Sequence, residues 1–554
     1  MTSTSDSRIR WLIKGNLPLL IHFLRVDRGS VKGKHQRCMS KPNLLSPPEF
    51  EEFRADCSRS DGCPARVPVV WTIPADTLTP VGAYLRLRDR SAHNFLFESV
   101  EGGEHLARYS FVGFAPSHLI RAWGQRIEVE ICDGAHAGTV ETKEGDPLAL
   151  LRETTRRAPL IEKPGLPRFL GGAVGFFGYG SVRLFENIPA TNPDLLDTPD
   201  INLAFHDQLI AFDHPRAVAH IIRIVEVTGL ETPHELKALW EGARREVSDL
   251  RDTLASPLPS LPGSAQTAAS STPISFQSNE DQASFETKVA RAKEHILAGD
   301  IFQVVLSQRL STDITCDPFA IYRAVRIVNP SPYLFHLRMG EHTLVGASPE
   351  MLVRSEKGRL ETLPIAGTRR RGRSEEEDLA LAEELLADPK ERAEHQMLVD
   401  LGRNDIGRVA RFGTVELAEH MVIQRFSHVM HLVSRVVGEL REDADALEAL
   451  YACFPAGTVS GAPKVRAMEI IEEQESTARG VYAGAVGYLD YRGDLDTCIA
   501  IRTVVVHQGK AYVQAGAGIV MDSIPSHEFE ETRNKARALL EAIRLAESGL
   551  LGGR

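Results

Sequence analysis

The stretch QAGAGIVMDSIPSHEFEETRNKA, residues 514–536, combines a small-residue run, a turn and an acidic helix start. Gly516-Ala517-Gly518 carries no bulky side chain, so its backbone amides can come close to a ligand. A short apolar strand is expected at 519–521. Asp522-Ser523-Ile524-Pro525 then turns the chain into a helix, with Ser526 as the N-cap. Glu528, Glu530 and Glu531 crowd the first helical turn, where the helix dipole favours carboxylates. Two readings follow. In one, this is a capped surface helix on which Glu531 pairs with Lys535 at i,i+4. In the other, the small residues form an anion cradle beside a carboxylate that binds a metal.

With 554 residues and 61.1 kDa, the chain can bury a large core and divides into two or more lobes. A net charge of −11 leaves no basic stripe, which argues against nucleic acid as a partner. The seven cysteines are scattered without zinc-ligand spacing, a pattern that fits reduced thiols in the cytoplasm. Any metal must therefore use oxygen ligands. No apolar run spans a bilayer. The best candidate, 11–24, is short and broken by Lys14, Asn16 and Pro18. Residues 1–38 are basic, with Asp6 and Asp27 their acids, but lack an apolar core with a cleavage site. They read as an upstream extension.

Composition divides the rest. Residues 1–47 are expected to be a disordered extension, and a first lobe runs over 48–251. A linker rich in Ser, Pro, Ala and Gly fills 252–277, a second lobe spans 278–546, and 547–554 is a tail. In the first lobe, helices are expected near Phe50 and at 81–87, and strands at 67–73, 95–99, 108–113, 119–122 and 127–131. The glycine-dense 169–180 lacks the Lys-Ser/Thr of a phosphate loop and suits close strand packing. Residues 203–212 and 217–227 read as a hairpin before a helix at 233–250. In the second lobe, Ser284 is expected to cap a helix at 285–298, followed by a strand at 301–306 and a helix at 318–328. A hairpin follows at 334–338 and 343–347. Later come a strand at 360–364, an acidic helix at 374–387, a second helix carrying Glu394, and strands at 427–437, 481–489, 497–506 and 510–514. Meandering strands with helices between them give an α+β fold, not a doubly wound parallel sheet.

Four side chains in this second half could carry chemistry. Glu394 shares a helix face with Leu398 and Leu401, so it edges a cleft or pairs with Lys390 one turn back. Two separated glutamates can hold Mg²⁺ while water and substrate oxygens complete the octahedron. Arg502 is expected mid-strand, where it needs a substrate carboxylate or a buried Glu as partner. His431, in an apolar strand, is read as a core residue or a catalyst. Glu350 follows Ser348-Pro349 and could be a general acid. No Ser-His-Asp or Cys-His order stands out.

Longer strings narrow the choice. GASPE (346–350), PIAGT (364–368), AEHQMLVDLGRND (393–405), SHVMHLVSRV (427–436), GTVSGAPKVRAM (457–468), GAVGYLD (484–490), DLDTCIAIRT (494–503) and the opening stretch resemble the chorismate-utilising enzymes. Among these the resemblance is to the component I branch of anthranilate synthase, from about residue 48 to about 546. It implies a two-lobed α+β fold of largely antiparallel sheets packed face to face and flanked by helices.

The resemblance also implies roles. Glu394 and Glu531 would hold Mg²⁺ over the ring carboxylate of chorismate. Substrate contacts would fall on Gly367, Thr368, Tyr482, Arg502, Gly516, Ala517 and Gly518, with Lys535 neutralising the site beside them. His431, Glu350 and Thr368 would be catalytic, Glu350 assisting loss of the ring hydroxyl. FLFESVEGGEHLARYSFVG (95–113) would place Glu98 and Ser99 in a feedback site for tryptophan. Asn329, Pro332, Tyr333 and Leu334 would form its other wall. Phe97 and Leu334 depart from the family's usual leucine and methionine but keep that site apolar. Two positions separate the relatives. Isochorismate and salicylate synthases carry a lysine where this chain has Gln303, and aminodeoxychorismate synthases one where it has Ala366. The implied activity is Mg²⁺-dependent conversion of chorismate and ammonia to anthranilate and pyruvate, the first committed step of tryptophan biosynthesis. Ammonia would come from a glutamine amidotransferase subunit in a heterodimer or heterotetramer. The alternatives are an aminodeoxychorismate synthase large subunit and an inactive tryptophan-binding paralogue.

Overall fold

The structure, a computed structural model, describes residues 47–99, 108–259, 274–426 and 429–549. Nearly all of the expected extension, the middle of the linker, and residues 550–554 of the tail lie outside these. So do residues 100–107 of the string after Ser99, and 427–428.

Two antiparallel sheets of 12 strands each dominate the described chain. The first runs from Ala65–Pro74 through His93–Glu98, Tyr333–Met339, Thr503–His507 and Lys510–Ile519 to Gln303–Asp313. The second runs from Ile365–Arg370 and Val429–Glu439 through Leu495–Ile499, Ala485–Asp490 and Gly172–Phe177 to Val140–Glu144. Each sheet is continuous between strands of the first half and strands of the second. In the first the seam is His93–Glu98 on Tyr333–Met339, and in the second it is Gly172–Phe177 on Ala485–Asp490. The glycine-dense segment lies at that second seam. A side chain at Gly175 would put its Cβ 2.0 Å from the Asn202 carbonyl oxygen, so close strand packing is its role.

Strand alternation shows how the layers stack. Phe95, Phe111 and Leu344 face the core shared with the second sheet. Their neighbours Leu96, Val112 and Val345 face a second core beneath the helices Pro80–Leu87, Pro233–Ala255, Pro318–Val328 and Pro525–Glu547. The first sheet is thus buried on both faces, which accounts for its nearly unbroken apolar strands. Helix starts follow local chemistry. Asp317 accepts from Phe319 N at 2.9 Å ahead of Pro318, and Asp388 accepts from Lys390 N at 3.0 Å ahead of Pro389.

The structure corrects several expectations. Asp281, not Ser284, caps the helix Gln282–Ala298, accepting from Ser284 N at 2.8 Å. Ser526 is already inside the helix Pro525–Glu547, whose N-cap is Ile524 without a side-chain bond. No separate strand forms at 519–521: Gly516 to Gly518 belong to the strand Lys510–Ile519, which ends at Ile519. The segments expected as single strands at 203–212 and 497–506 are each two strands, one in either sheet, because the chain turns a corner at Asp207 and at 500–502.

That second corner builds the site. Arg502 is not mid-strand but in the crossing between Leu495–Ile499 and Thr503–His507, with a left-handed φ of 48°. A matching crossing, Pro349-Glu350, joins His342–Ser348 to Met351–Glu356. The crossings are stitched together: Ile499 N donates to Glu350 O at 3.0 Å, and Ala347 N to Arg502 O at 3.1 Å. Glu350 and Arg502 are neighbours because the chain changes sheets twice at the same place.

Candidate active site

A cavity of about 660 Å³ opens above the crossings. On its walls are ten of the twelve residues expected to bind substrate or metal or to act in catalysis: Glu350, Gly367, Thr368, Glu394, Tyr482, Arg502, Gly516, Gly518, Glu531 and Lys535. Ala517 and His431 are not. The side chain of Ala517 is fully buried on the opposite face of its strand, among Val304, Leu306 and Phe529. His431 sits behind the wall.

The glycine strand is paired along one edge only past Val513. Gly516 lies opposite Ser307 and Gly518 opposite Val305, while Thr503–His507 leaves the other edge at Val504–Val513. The free edge lies at the cavity and leaves backbone amides available to an anion. The glycines also make room for side chains. A Cβ at Gly516 would stand 2.7 Å from Tyr482 Oη, and one at Gly518 2.6 Å from Gln303 Nε2. Gly516 N–H donates to the Tyr482 hydroxyl, and the Gly516 carbonyl accepts from Lys535 Nζ at 3.1 Å. Burial pushes the Tyr482 hydroxyl up to about 12, so it keeps its proton and can donate. Beneath it the buried Arg479 guanidinium lies 5.4 Å from the ring and is held by Glu475 at 2.6 and 2.9 Å.

Glu350 is buried, and burial pushes its carboxyl up to about 8 against the opposing pull of Thr458 and Arg502. The Thr458 hydroxyl donates to Glu350 Oε1 at 3.1 Å. At neutral pH Glu350 is a protonated acid, poised as a proton donor. His431 Nδ1 lies 3.0 Å from the Gly367 carbonyl and 3.0 Å from Thr368 Oγ1. Since a carbonyl can only accept, Nδ1 carries the proton and Nε2 is left as a base. Burial, followed by the nearby Arg502 charge, lowers the His431 pKa and keeps the ring neutral.

Besides Glu350, five carboxylates line the cavity: Glu391 and Glu394 on the helix Pro389–Gly407, Asp522 in the turn before the helix Pro525–Glu547, and Glu528 and Glu531 on that helix. Burial raises Glu394, with Glu391 and Glu531 adding to the effect; burial and Glu531 raise Glu528. Lys535 Nζ lies 2.7 Å from Glu531 Oε1, so the i,i+4 ion pair exists within the site. This donor set of hard oxygens, short of positive charge, fits a small divalent cation that keeps water and substrate oxygens as its remaining ligands. Among the described residues no three His, Cys, Asp or Glu side chains converge as a set of metal ligands. Glu391 and Glu528 were missed in the sequence. The signal was there: each stands three residues before an expected metal ligand, on the same helix face. Lys390, read in the sequence as a pairing partner of Glu394, and Thr458, within the string 457–468, also line the cavity.

A second cavity, of about 50 Å³, is lined by Glu98, Ser99, Pro332, Tyr333 and Leu334, with Asn329 off its wall. Ser99 Oγ and Asn329 Nδ2 are buried without a hydrogen-bond partner among the described residues. Glu98 accepts from the Tyr322 hydroxyl and from Arg326 Nε at 3.0 Å. Below, Asp496 accepts from Tyr333 Oη and Arg354 Nε, both at 3.0 Å.

A family model described as chorismate binding enzyme matches residues 80–541. The chain belongs to the chorismate binding enzyme family. Within it the chain is 47% identical over 479 residues to anthranilate synthase component 1 of Acetivibrio thermocellus, covering 86% of this chain and 95% of that one. It is 48% identical over 482 residues to anthranilate synthase component 1 of Thermus thermophilus, covering 86% and 98%. The crystal structure of anthranilate synthase component I from Streptococcus pneumoniae superposes with a TM-score of 0.69 at 39% identity, over 84% of this chain and 98% of that one. The menaquinone-specific isochorismate synthase of Escherichia coli, at 19% identity and a TM-score of 0.62 over 89% and 98%, shares the fold. The family's α+β architecture is the one described above.

Proposed function

We propose that this chain is the large, chorismate-converting subunit of an anthranilate synthase, acting in the cytoplasm. The observation that carries the reading is the chemistry at two cavity positions. Gln303 and Ala366 both line the wall, and neither is the lysine expected in a synthase that activates water or uses its own amine. The nucleophile must then arrive ready-made, and ammonia from a glutamine amidotransferase subunit serves. This implies a heterodimer or heterotetramer.

Arg502 and the open glycine edge bind one carboxylate of chorismate, with Tyr482, Gly367 and Thr368 positioning the ring. Glu394 and Glu531 would hold Mg²⁺, which supplies positive charge against the ring carboxylate. In the first step a C–N bond forms at C2, both ring double bonds shift (C1=C2 to C1=C6, C5=C6 to C4=C5), the C4–O bond breaks, and the added nitrogen sheds a proton. Glu350 donates its proton so that the hydroxyl leaves as water. In the second the C2 proton is lost, the C3–O bond breaks, and the enolpyruvyl group leaves and takes up a proton as pyruvate. The neutral His431, fixed through Nδ1, aids proton movement in this elimination. The second cavity, with its unpartnered Ser99 Oγ and Asn329 Nδ2, suits the polar end of an amino acid over an apolar wall. We assign it to tryptophan as feedback inhibitor.

The test is turnover of chorismate with Mg²⁺ and an ammonium salt. Fluorescent anthranilate supports the reading. Accumulation of aminodeoxychorismate instead would identify the runner-up, and no turnover would revive the inactive paralogue. Ser99→Ala is expected to relieve tryptophan inhibition and spare turnover; unchanged sensitivity would remove the second cavity from the account.

A further inference from the structure

Arg369 follows Thr368 directly on the strand Ile365–Arg370, and its guanidinium leaves that strand toward the helix Pro389–Gly407. Three carboxylates meet it. Arg369 Nε lies 2.9 Å from Glu384 Oε1, Nη2 2.9 Å from Asp388 Oδ2, and Nη1 3.1 Å from Glu391 Oε1. Nη1 also donates to the Thr368 carbonyl at 3.0 Å. Three of these four partners bear on the site. Thr368 is a cavity residue, Asp388 caps the helix that bears Glu394, and Glu391 stands on the cavity wall three residues before Glu394.

We propose that Arg369 is a positioning residue of the active site, which locks the strand of Gly367 and Thr368 to the helix of Glu394 and restrains Glu391 from taking the cation. This rests on the reading of Glu394 and Glu531 as the metal pair. Glu391 and Glu394 are i,i+3 neighbours facing one cavity, so an unrestrained Glu391 would chelate the cation together with Glu394 on one helix. That would draw the ion away from Glu531 and from the substrate carboxylate between the two helices. Arg369 takes Glu391 Oε1, and Glu391 Oε2 is left beside Gly367, 3.1 Å from where a Cβ of that glycine would stand. Mg²⁺ keeps several waters and few carboxylates, whereas Ca²⁺ accepts six to eight oxygens, so the restraint also favours Mg²⁺. A planar fork can reach all of these partners at once; a lysine, a single point charge, cannot.

The experiment measures Mn²⁺ binding to the full chain without substrate, from the electron paramagnetic resonance signal of free Mn²⁺, with Mg²⁺ and Ca²⁺ as competitors. Chorismate KM is measured alongside. Arg369→Met is expected to lower the preference for Mg²⁺ over Ca²⁺ by roughly tenfold or more, the usual effect of removing an outer partner of a metal ligand, and to raise KM. In R369M/E391Q the parental cation preference returns, because the carboxylate needing restraint is gone, while KM stays high. R369K, which keeps the charge and the fold, shows a partial shift. The proposal is overturned if R369M and R369K keep the parental preference, or if E391Q fails to restore it. If E394Q binds Mn²⁺ as the parent does, the metal-pair reading itself fails, whatever the Arg369 variants do.

Discussion

In the proposed reaction Glu350 is the general acid, and its burial leads to two measurable expectations. As a general acid it must be protonated, so the rate is expected to fall as pH rises through about 8. Glu350→Gln should cost roughly 10²–10⁴-fold in kcat and abolish that basic limb. Stability falls in the same direction, over a lower window. Between its ordinary value of 4.5 and about 8 the native carboxyl holds a proton that the unfolded one has lost, so this group lowers stability as pH rises over that window. E350Q should therefore unfold at higher denaturant than the parent at pH 8, by up to roughly 4 kcal/mol, and match it near pH 4. A basic limb that survives in E350Q would remove it as the acid. Glu350, Arg502 and Glu531 were legible from motifs. The burial that raises Glu350 was not, because it arises where two sheet crossings distant in sequence meet.

At the scale of elements, the strand Lys510–Ile519 works through one unpaired edge and two missing side chains. Gly516→Ala puts a methyl 2.7 Å from Tyr482 Oη, so either the ring or the strand must shift. We expect a raised chorismate KM with a loss of about 1–3 kcal/mol in stability, as overpacked sites show. An unchanged KM would mean that the Tyr482 hydroxyl does not bind substrate. Helices such as Pro318–Val328 were readable to the residue because Asp317 and Pro318 mark the start and Asn329-Pro330 the stop. Caps with competing candidates within three residues were not: Asp281 beat Ser284, and Ile524 took the place of Ser526. Nor was the corner at 500–502 legible. Its residues have strand character, and only the pull of two different sheets, each fixed by partners over a hundred residues away, breaks them apart.

Across the whole molecule, the two sheets make one body of what composition divides into 48–251 and 278–546. Each sheet hydrogen-bonds directly across that division, at His93–Glu98 and at Gly172–Phe177. Scanning calorimetry is expected to show a single unfolding transition for the described body, and two well-separated transitions would contradict this. The same continuity carries Asp496 beneath the second cavity and Arg502 in the first on one short segment, a covalent path between the two cavities. None of the helices among the described residues is long and apolar enough to cross a membrane. The central claim is that a cation between Glu394 and Glu531 and a carboxylate on Arg502 orient chorismate for attack by ammonia. The most direct test is anthranilate fluorescence from the full chain with chorismate, Mg²⁺ and ammonium, run beside Glu531→Gln. The account expects product from the parent, its loss on chelation of Mg²⁺, and at least roughly hundredfold less from E531Q. Full activity in E531Q would contradict it.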